Sequence, residues 1–375
     1  MNFSTEVLRS DERAIYELRE LYRKFGYSGY KVGRFEEYDL YAHNKSFLVS
    51  EDILTFTDTN GKLMALKPDI TLSIVKNIVP NKKTVRKLYY NENVYRTSAE
   101  SHGFKEIMQT GLECIGYVDE FAVSEVVMLA LRSLQSISVD YMLDISHMGI
   151  IEGLFDSAEL NETDRDILAG YVKSKNTASI INMSNDGKIS KELCDIICNL
   201  TKIYCTLSNS LSIIEKYLVN QKIKDAYYQL KSISETMDMY GLSEKLFFDF
   251  SVMNDCNYYD GIIFKGFING IPDSILSGGR YDKLVQKMGK NCGAIGFAVY
   301  LDRLERFDNE SRSFDVDVLL VYDETDDKNS IIDTVKRLNK EGKTVKTSLC
   351  KDTSIIYRQL VKMSNGGIEI LETND

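Results

Sequence analysis

Histidine, tryptophan and proline are scarce: three, none and three among 375 residues. With only His43, His102 and His147 present, a catalytic centre built on imidazole has few candidates. Each of the three reads as a structural histidine rather than a ligand. No CxxC pair occurs among the seven cysteines, Cys114, Cys194, Cys198, Cys205, Cys256, Cys292 and Cys350, and their number is odd. Neither a disulfide framework nor a zinc site is favoured. Cys194 and Cys198, at i, i+4 spacing, read as apolar packing, and a reducing cytoplasm is expected. No apolar run reaches 18 residues, so no membrane span is expected. Met1 to Glu6 lacks the basic and apolar regions of a secretory signal. Walker A, strand-linked GxGxxG and HExxH patterns are all missing, as are repeats and low-complexity tracts. No metal and no cofactor are expected. Positive charge is the minority sign, 46 Lys and Arg against 56 Asp and Glu, a net charge of −10. That field repels phosphates at long range and weighs against nucleic acid.

What is present is a soluble composition, 43% hydrophobic and 27% charged, long enough for two or three domains. Residues 10–25 carry a helical stripe through Ile15, Leu18, Leu21, Tyr22 and Phe25, ended by Gly26. Asn60-Gly61, between two short apolar runs, predicts a hairpin with a type I′ turn, which needs φ > 0 at both central residues. Pro68 marks a change from strand to helix. Strands are expected at 87–96, 106–116 and 141–146, with a helix at 119–136. Residues 150–240 hold long amphipathic patterns without proline and read as a helical insertion. Strands return at 246–252, 259–268 and 293–299. Gly278-Gly279 precedes a helix at 281–288, and another helix is expected at 300–307. A polar linker, Asp308 to Ser313, leads to a small βαβ-type unit with strands at 316–321 and 343–349 around a helix at 328–340. These patterns make the fold α+β, with a main domain over 1–312 and a small α/β domain over 313–375.

Six segments stand in an informative order. They are Leu66-Lys67-Pro68-Asp69-Ile70-Thr71, Val94-Tyr95-Arg96, Gln109 to Gly116, Asn257 to Phe264, Ser277-Gly278-Gly279-Arg280-Tyr281-Asp282, and Ile295 to Leu304. In order and spacing they resemble the class II aminoacyl-tRNA synthetases, specifically the histidyl branch, over about residues 10–307. The resemblance implies an antiparallel sheet with flanking helices. It implies a histidine pocket at Asp69, Thr71, Gln109, Glu113, Tyr258, Tyr259 and Tyr281. Arg96 and Arg303 match the arginines of motifs 2 and 3, which would contact phosphate or form ion pairs. A carboxylate suits an amino acid's ammonium group, and tyrosines suit an imidazole ring.

The departures from the synthetase pattern are specific. Synthetases of this branch carry Arg-Gly-Leu-Asp before the tyrosine pair, whereas this chain has Asn254-Asp255-Cys256-Asn257, with Asn254 at the arginine position. Losing that guanidinium removes transition-state stabilisation. Ser98 stands where motif 2 carries an acidic ATP-contacting residue. Tyr30 to Glu36 lacks the motif 1 proline of the class II dimer interface, although self-association remains implied. Two segments, Lys67-Pro68-Asp69-Ile70-Thr71 and Leu143 to Ile150, resemble instead the regulatory subunits of ATP phosphoribosyltransferase. Residues 313–375 resemble a shortened anticodon-binding domain. These likenesses imply a non-catalytic regulatory subunit that senses L-histidine and pairs with a short-form catalytic subunit at the first step of histidine biosynthesis, with no tRNA substrate. A working histidyl-tRNA synthetase, or a synthetase-like module that binds another macromolecule, are the alternatives.

Overall fold

The computed structural model describes residues 8–48, 52–79, 83–97, 103–158, 160–252, 258–304, 314–364 and 367–374. His102, Ser98 and the Asn254 to Asn257 run lie outside them. The chain forms two compact units, Met1–Leu304 and Glu305–Asp375. The sequence reading put the join at 312, inside 305–313, which also lie outside the described residues.

In the first unit α1 (Ser10–Lys24) leads through β1 (Ser28–Gly29), β2 (Phe35–Glu37) and α2 (Tyr38–Ala42) to β3 (Thr55–Thr57) and β4 (Leu63–Leu66). Then come α3 (Ile70–Asn77), β5 (Val85–Thr97), β6 (Phe104–Gly116), α4 (Glu120–Ile137) and β7 (Tyr141–His147). The insertion holds α5 (Met148–Ser157), α6 (Glu162–Lys173), α7 (Thr177–Asn185), α8 (Lys191–Thr201), β8 (Cys205–Thr206), α9 (Leu207–Ile214) and α10 (Gln221–Met239). The unit closes with β9 (Leu246–Phe248), β10 (Ile262–Ile268), β11 (Leu276–Arg280), α11 (Asp282–Lys287) and β12 (Gly293–Tyr300).

Nine strands form one sheet in the order β1-β5-β6-β12-β11-β10-β7-β9-β8. Pairing is antiparallel from β5 through to β7, and parallel at β1–β5 and β7–β9. Side chains alternate across a strand, and this separates the two faces. Leu112 and Phe297 are cross-strand partners, and Tyr22 of α1 packs edge-on against Phe297 at 6.0 Å. The Tyr22 hydroxyl meets Ser133 of α4 at 3.1 Å. Helices α1 and α4 therefore cover one face. Glu113 and Gly296, the next cross-strand pair, point to the other.

Local chemistry sets the helix starts. Asn161, Asn176, Ser190 and Asn220 each accept a bond from the backbone N–H three residues on, which satisfies a donor with no partner inside the helix. Helix α8 buries Cys194 and Cys198 on its apolar side, where the i, i+4 spacing placed them. Among the described residues, no helix is long and apolar enough to cross a membrane.

Several expectations are corrected. The hairpin at Asn60-Gly61 exists, but only Gly61 has positive φ, and Thr57 pairs with Leu63 across a five-residue connection. The Asp58 carboxylate explains this: it accepts bonds from the Asn60 and Lys62 N–H groups, each at 2.8 Å, and so builds an Asx-type turn in place of type I′. The strand expected at 246–252 stops at Phe248 and continues as a 3-10 turn, Phe250–Val252. The helix expected at 300–307 is, over its described part, a 3-10 turn, Leu301–Leu304.

The second unit has β13 (Val316–Val321), α12 (Lys328–Lys340), β14 (Val345–Ser348), β15 (Tyr357–Ser364) and β16 (Gly367–Thr373). Strand β13 runs parallel to both β14 and β15, and β16 adds antiparallel to β15. Val318, Leu320, Leu338, Val361 and Met363 form its core. The expected βαβ unit is present, and β15 and β16 extend it beyond the sequence reading.

Candidate functional site

The site is built on the sheet face that α1 and α4 leave uncovered. Pro68 ends the approach from β4, and Asp69 follows as the N-cap of α3, accepting the Leu72 N–H at 2.8 Å. That cap places Thr71 in the first turn of α3, facing β6. The Thr71 hydroxyl donates to one oxygen of Glu113 at 2.7 Å. The Tyr281 hydroxyl, from the residue that starts α11, donates to the other.

Glu113 is 2% exposed. Its place depends on Gly296 across the strand pair: a Cβ there would lie 1.9 Å from the carboxylate. Burial pushes the Glu113 carboxyl up to about 8; the hydroxyls of Tyr281 and Thr71 pull it down, and the neighbouring Asp69 pushes it further up. Burial likewise raises Asp69, against the pull of Arg96.

Three tyrosines wall the cluster. The Tyr258 ring lies 4.8 Å from Tyr259 and 5.9 Å from Tyr281, centroid to centroid, with Phe47 edge-on at 6.3 Å. Tyr259 fits because Gly279 has no side chain; a Cβ there would meet its ring at 2.7 Å. Burial holds the hydroxyls of Tyr258 and Tyr281 well above their ordinary titration range, so both remain protonated donors.

Gln109 lies four residues before Glu113 on the same face of β6. It is 3% exposed, and its side-chain N–H₂ has no partner among the described residues. An unmet buried donor costs free energy comparable to a lost hydrogen bond, so the position suits a ligand acceptor.

The two arginines are placed differently. Arg96 turns back on the Pro68-Asp69 corner: its Nε donates to the Pro68 carbonyl at 2.9 Å, and its Nη2 lies 4.0 Å from the Asp69 carboxylate. Arg303 donates to the Ser274 carbonyl and stacks 4.6 Å over Tyr300, the cross-strand partner of Gln109. Thus Asp69, Thr71, Glu113, Tyr258, Tyr259 and Tyr281 are drawn together with Arg96 at the edge. Gln109 and Arg303 sit further along the sheet.

Sequence reasoning missed Lys67 and Glu92. Lys67 is fully buried and bonds the Glu92 carboxylate at 3.1 Å, and the other Glu92 oxygen accepts the Val32 N–H at 3.1 Å. The pair ties the Val32 segment to the Pro68 corner, and burial lowers the Lys67 pKa. A lysine ahead of Pro-Asp was visible in the sequence, but its partner lies 25 residues away on another strand.

Fold and site together define a class II synthetase-type core with a polar, tyrosine-walled cluster. The histidyl-tRNA synthetase family model matches residues 4–304, and the chain belongs to that family, in the group formed with the regulatory subunits of ATP phosphoribosyltransferase. It is 31% identical to such a regulatory subunit of Clostridium kluyveri over 319 residues, covering 81% of each chain. A crystal structure of an ATP phosphoribosyltransferase regulatory subunit/histidyl-tRNA synthetase from Bacillus halodurans superposes with a TM-score of 0.72 at 22% identity, covering 94% of this chain and 93% of that one. A chain of an ATP phosphoribosyl transferase complex from Thermotoga maritima superposes with a TM-score of 0.60 at 18% identity, covering 78% of this chain and 97% of that one.

Proposed function

We propose that this chain is a non-catalytic regulatory subunit of ATP phosphoribosyltransferase that binds free L-histidine in the pocket around Glu113. The observation that carries the ligand reading is the polar set on the sheet face opposite α1 and α4. Among the described residues, a deeply buried Glu113 accepts from the hydroxyls of Thr71 and Tyr281, tyrosine rings wall the cluster, and the Gln109 amide donor has no partner. An amino acid with a ring side chain supplies what these groups lack: N–H groups for the carboxyls, a flat ring for the tyrosines and carboxylate oxygens for the amide.

Loss of catalysis is read from Asn254 and Ser98, where synthetases carry an arginine and an acid. The names of the relatives support the regulatory role and assembly with a catalytic partner. Histidine regulates such a complex only if it binds two states of it with different affinity. Arg96 and Arg303 each hydrogen-bond within the chain through one guanidinium nitrogen, and because a guanidinium carries five N–H donors, phosphate contact by either is compatible with these bonds.

Calorimetric titration and a tRNA-charging assay test the reading together. The purified chain should bind L-histidine and should show no charging above background with histidine, ATP and cognate tRNA. Robust charging would overturn the non-catalytic role; no heat with histidine would overturn the ligand.

A further inference from the structure

Lys290 stands outside the cluster around Glu113, yet it grips one of the helices that forms it. Helix α11 ends in a left-handed turn at Gly289, φ +77°, a conformation that favours glycine. The Gly289 N–H donates to the Gln286 carbonyl at 2.9 Å, and the Lys290 N–H to the Val285 carbonyl at 3.0 Å. This turn delivers the Lys290 ammonium onto the C-terminal end of α3. There it donates to the carbonyls of Val75, Lys76 and Ile78, with the Lys76 bond at 3.0 Å. The last carbonyls of a helix have no partner inside it, and a cation there also meets the negative end of the dipole. One ammonium, 214 residues away in the chain, thus closes the end of α3.

The opposite ends of the same two helices carry the pocket. Asp69 caps α3, Thr71 sits in its first turn, and Tyr281 is the N-cap residue of α11. The helices are therefore tied twice: through Glu113 at their N-terminal ends and through Lys290 at their C-terminal ends. Helix α3 has eight residues. Helices that short are marginal alone, so their placement depends on tertiary ties.

We propose that Lys290 is a positioning residue for the pocket: by holding the C-terminal end of α3 it sets Asp69 and Thr71 opposite Tyr281 and so tunes the affinity for the amino acid ligand. This rests on the histidine-binding reading above.

The test uses the full chain with Lys290→Met, which keeps the stem and removes the donors, and Lys290→Arg, which restores them. Hydrogen exchange of the α3 amides is followed without ligand, with those of α4 as the internal reference, and L-histidine affinity is measured by calorimetry. Lys290→Met should speed α3 exchange about three- to tenfold relative to α4 and weaken histidine by a similar factor, the scale of a cation at a helix C-terminus. Lys290→Arg should restore both. Unchanged α3 exchange, or faster α3 exchange with unchanged histidine affinity, would overturn the proposal. If the wild type binds no histidine, the ligand reading fails, and the exchange data still decide whether Lys290 holds α3. Should Lys290→Met not fold, Lys290→Gln, which keeps an N–H donor but no charge, is read against Lys290→Arg by the same criteria.

Discussion

Truncation of Glu113 to alanine is expected to weaken L-histidine binding by about 1.5–3 kcal/mol, roughly ten- to a hundredfold, the range for hydrogen bonds to charged groups. The variant removes the acceptor for a ligand N–H group. It also strands the hydroxyls of Thr71 and Tyr281, which both point at that carboxyl in a buried setting. Glu113→Gln separates the two effects, because the amide keeps an acceptor oxygen but cannot ionise against the ligand's ammonium group. It should bind more weakly than wild type and more tightly than Glu113→Ala. Calorimetry showing equal affinity for wild type and Glu113→Ala would assign Glu113 to the scaffold.

A second large effect concerns pH. Stability of the unliganded chain should fall as pH rises from about 6.5 to 8, by about 2 kcal/mol from Glu113 alone. In the unfolded chain Glu113 titrates near its ordinary value of 4.5; in the folded chain burial pushes it up to about 8. Between those values the native state holds a proton that the unfolded state has released, so raising the pH favours unfolding. Asp144, pushed up to about 7 by burial and by Asp249, acts with the same sign over the lower part of the window. His147 acts in the opposite sense: burial pushes it down to about 4, so its contribution is lost only as pH falls below about 6.5. Urea unfolding at pH 6.5 and pH 8 should show the loss in wild type and a smaller one in Glu113→Gln. Equal losses in the two proteins would show that Glu113 is ionised in the folded chain at both pH values.

The parts of this fold that were legible in the sequence are those whose cause is local or repeated. The apolar stripe from Ile15 to Phe25 becomes α1, ended at Gly26, and the long runs at 87–96 and 106–116 become the β5–β6 hairpin. The grouping of Thr71, Glu113, Tyr258 and Tyr281 follows the order of six segments, and the sheet register brings Glu113 opposite Gly296 and sets Thr71 and Tyr281 on its two oxygens. What escaped depends on partners far away or on one side chain overriding a pattern. Asp58 outcompeted the Asn60-Gly61 signal by bonding two backbone N–H groups. The two-residue strands β1 and β8 have no periodicity to detect; each exists because a sheet edge was there to pair with. Nothing local in the sequence names the partners of Lys67 and Lys290, and only the fold reveals Glu92 and the end of α3 in that role.

The most direct measurement is phosphoribosyl transfer from phosphoribosyl pyrophosphate to ATP by the short-form catalytic subunit. It is followed for that subunit alone, with this chain, and with this chain plus L-histidine. Addition of the chain should change the rate, and histidine should lower it. Tyr258→Phe, which removes a pocket hydroxyl, should blunt the histidine effect and leave assembly intact. A catalytic subunit whose rate responds neither to this chain nor to histidine in its presence would contradict the regulatory role, even if histidine binds.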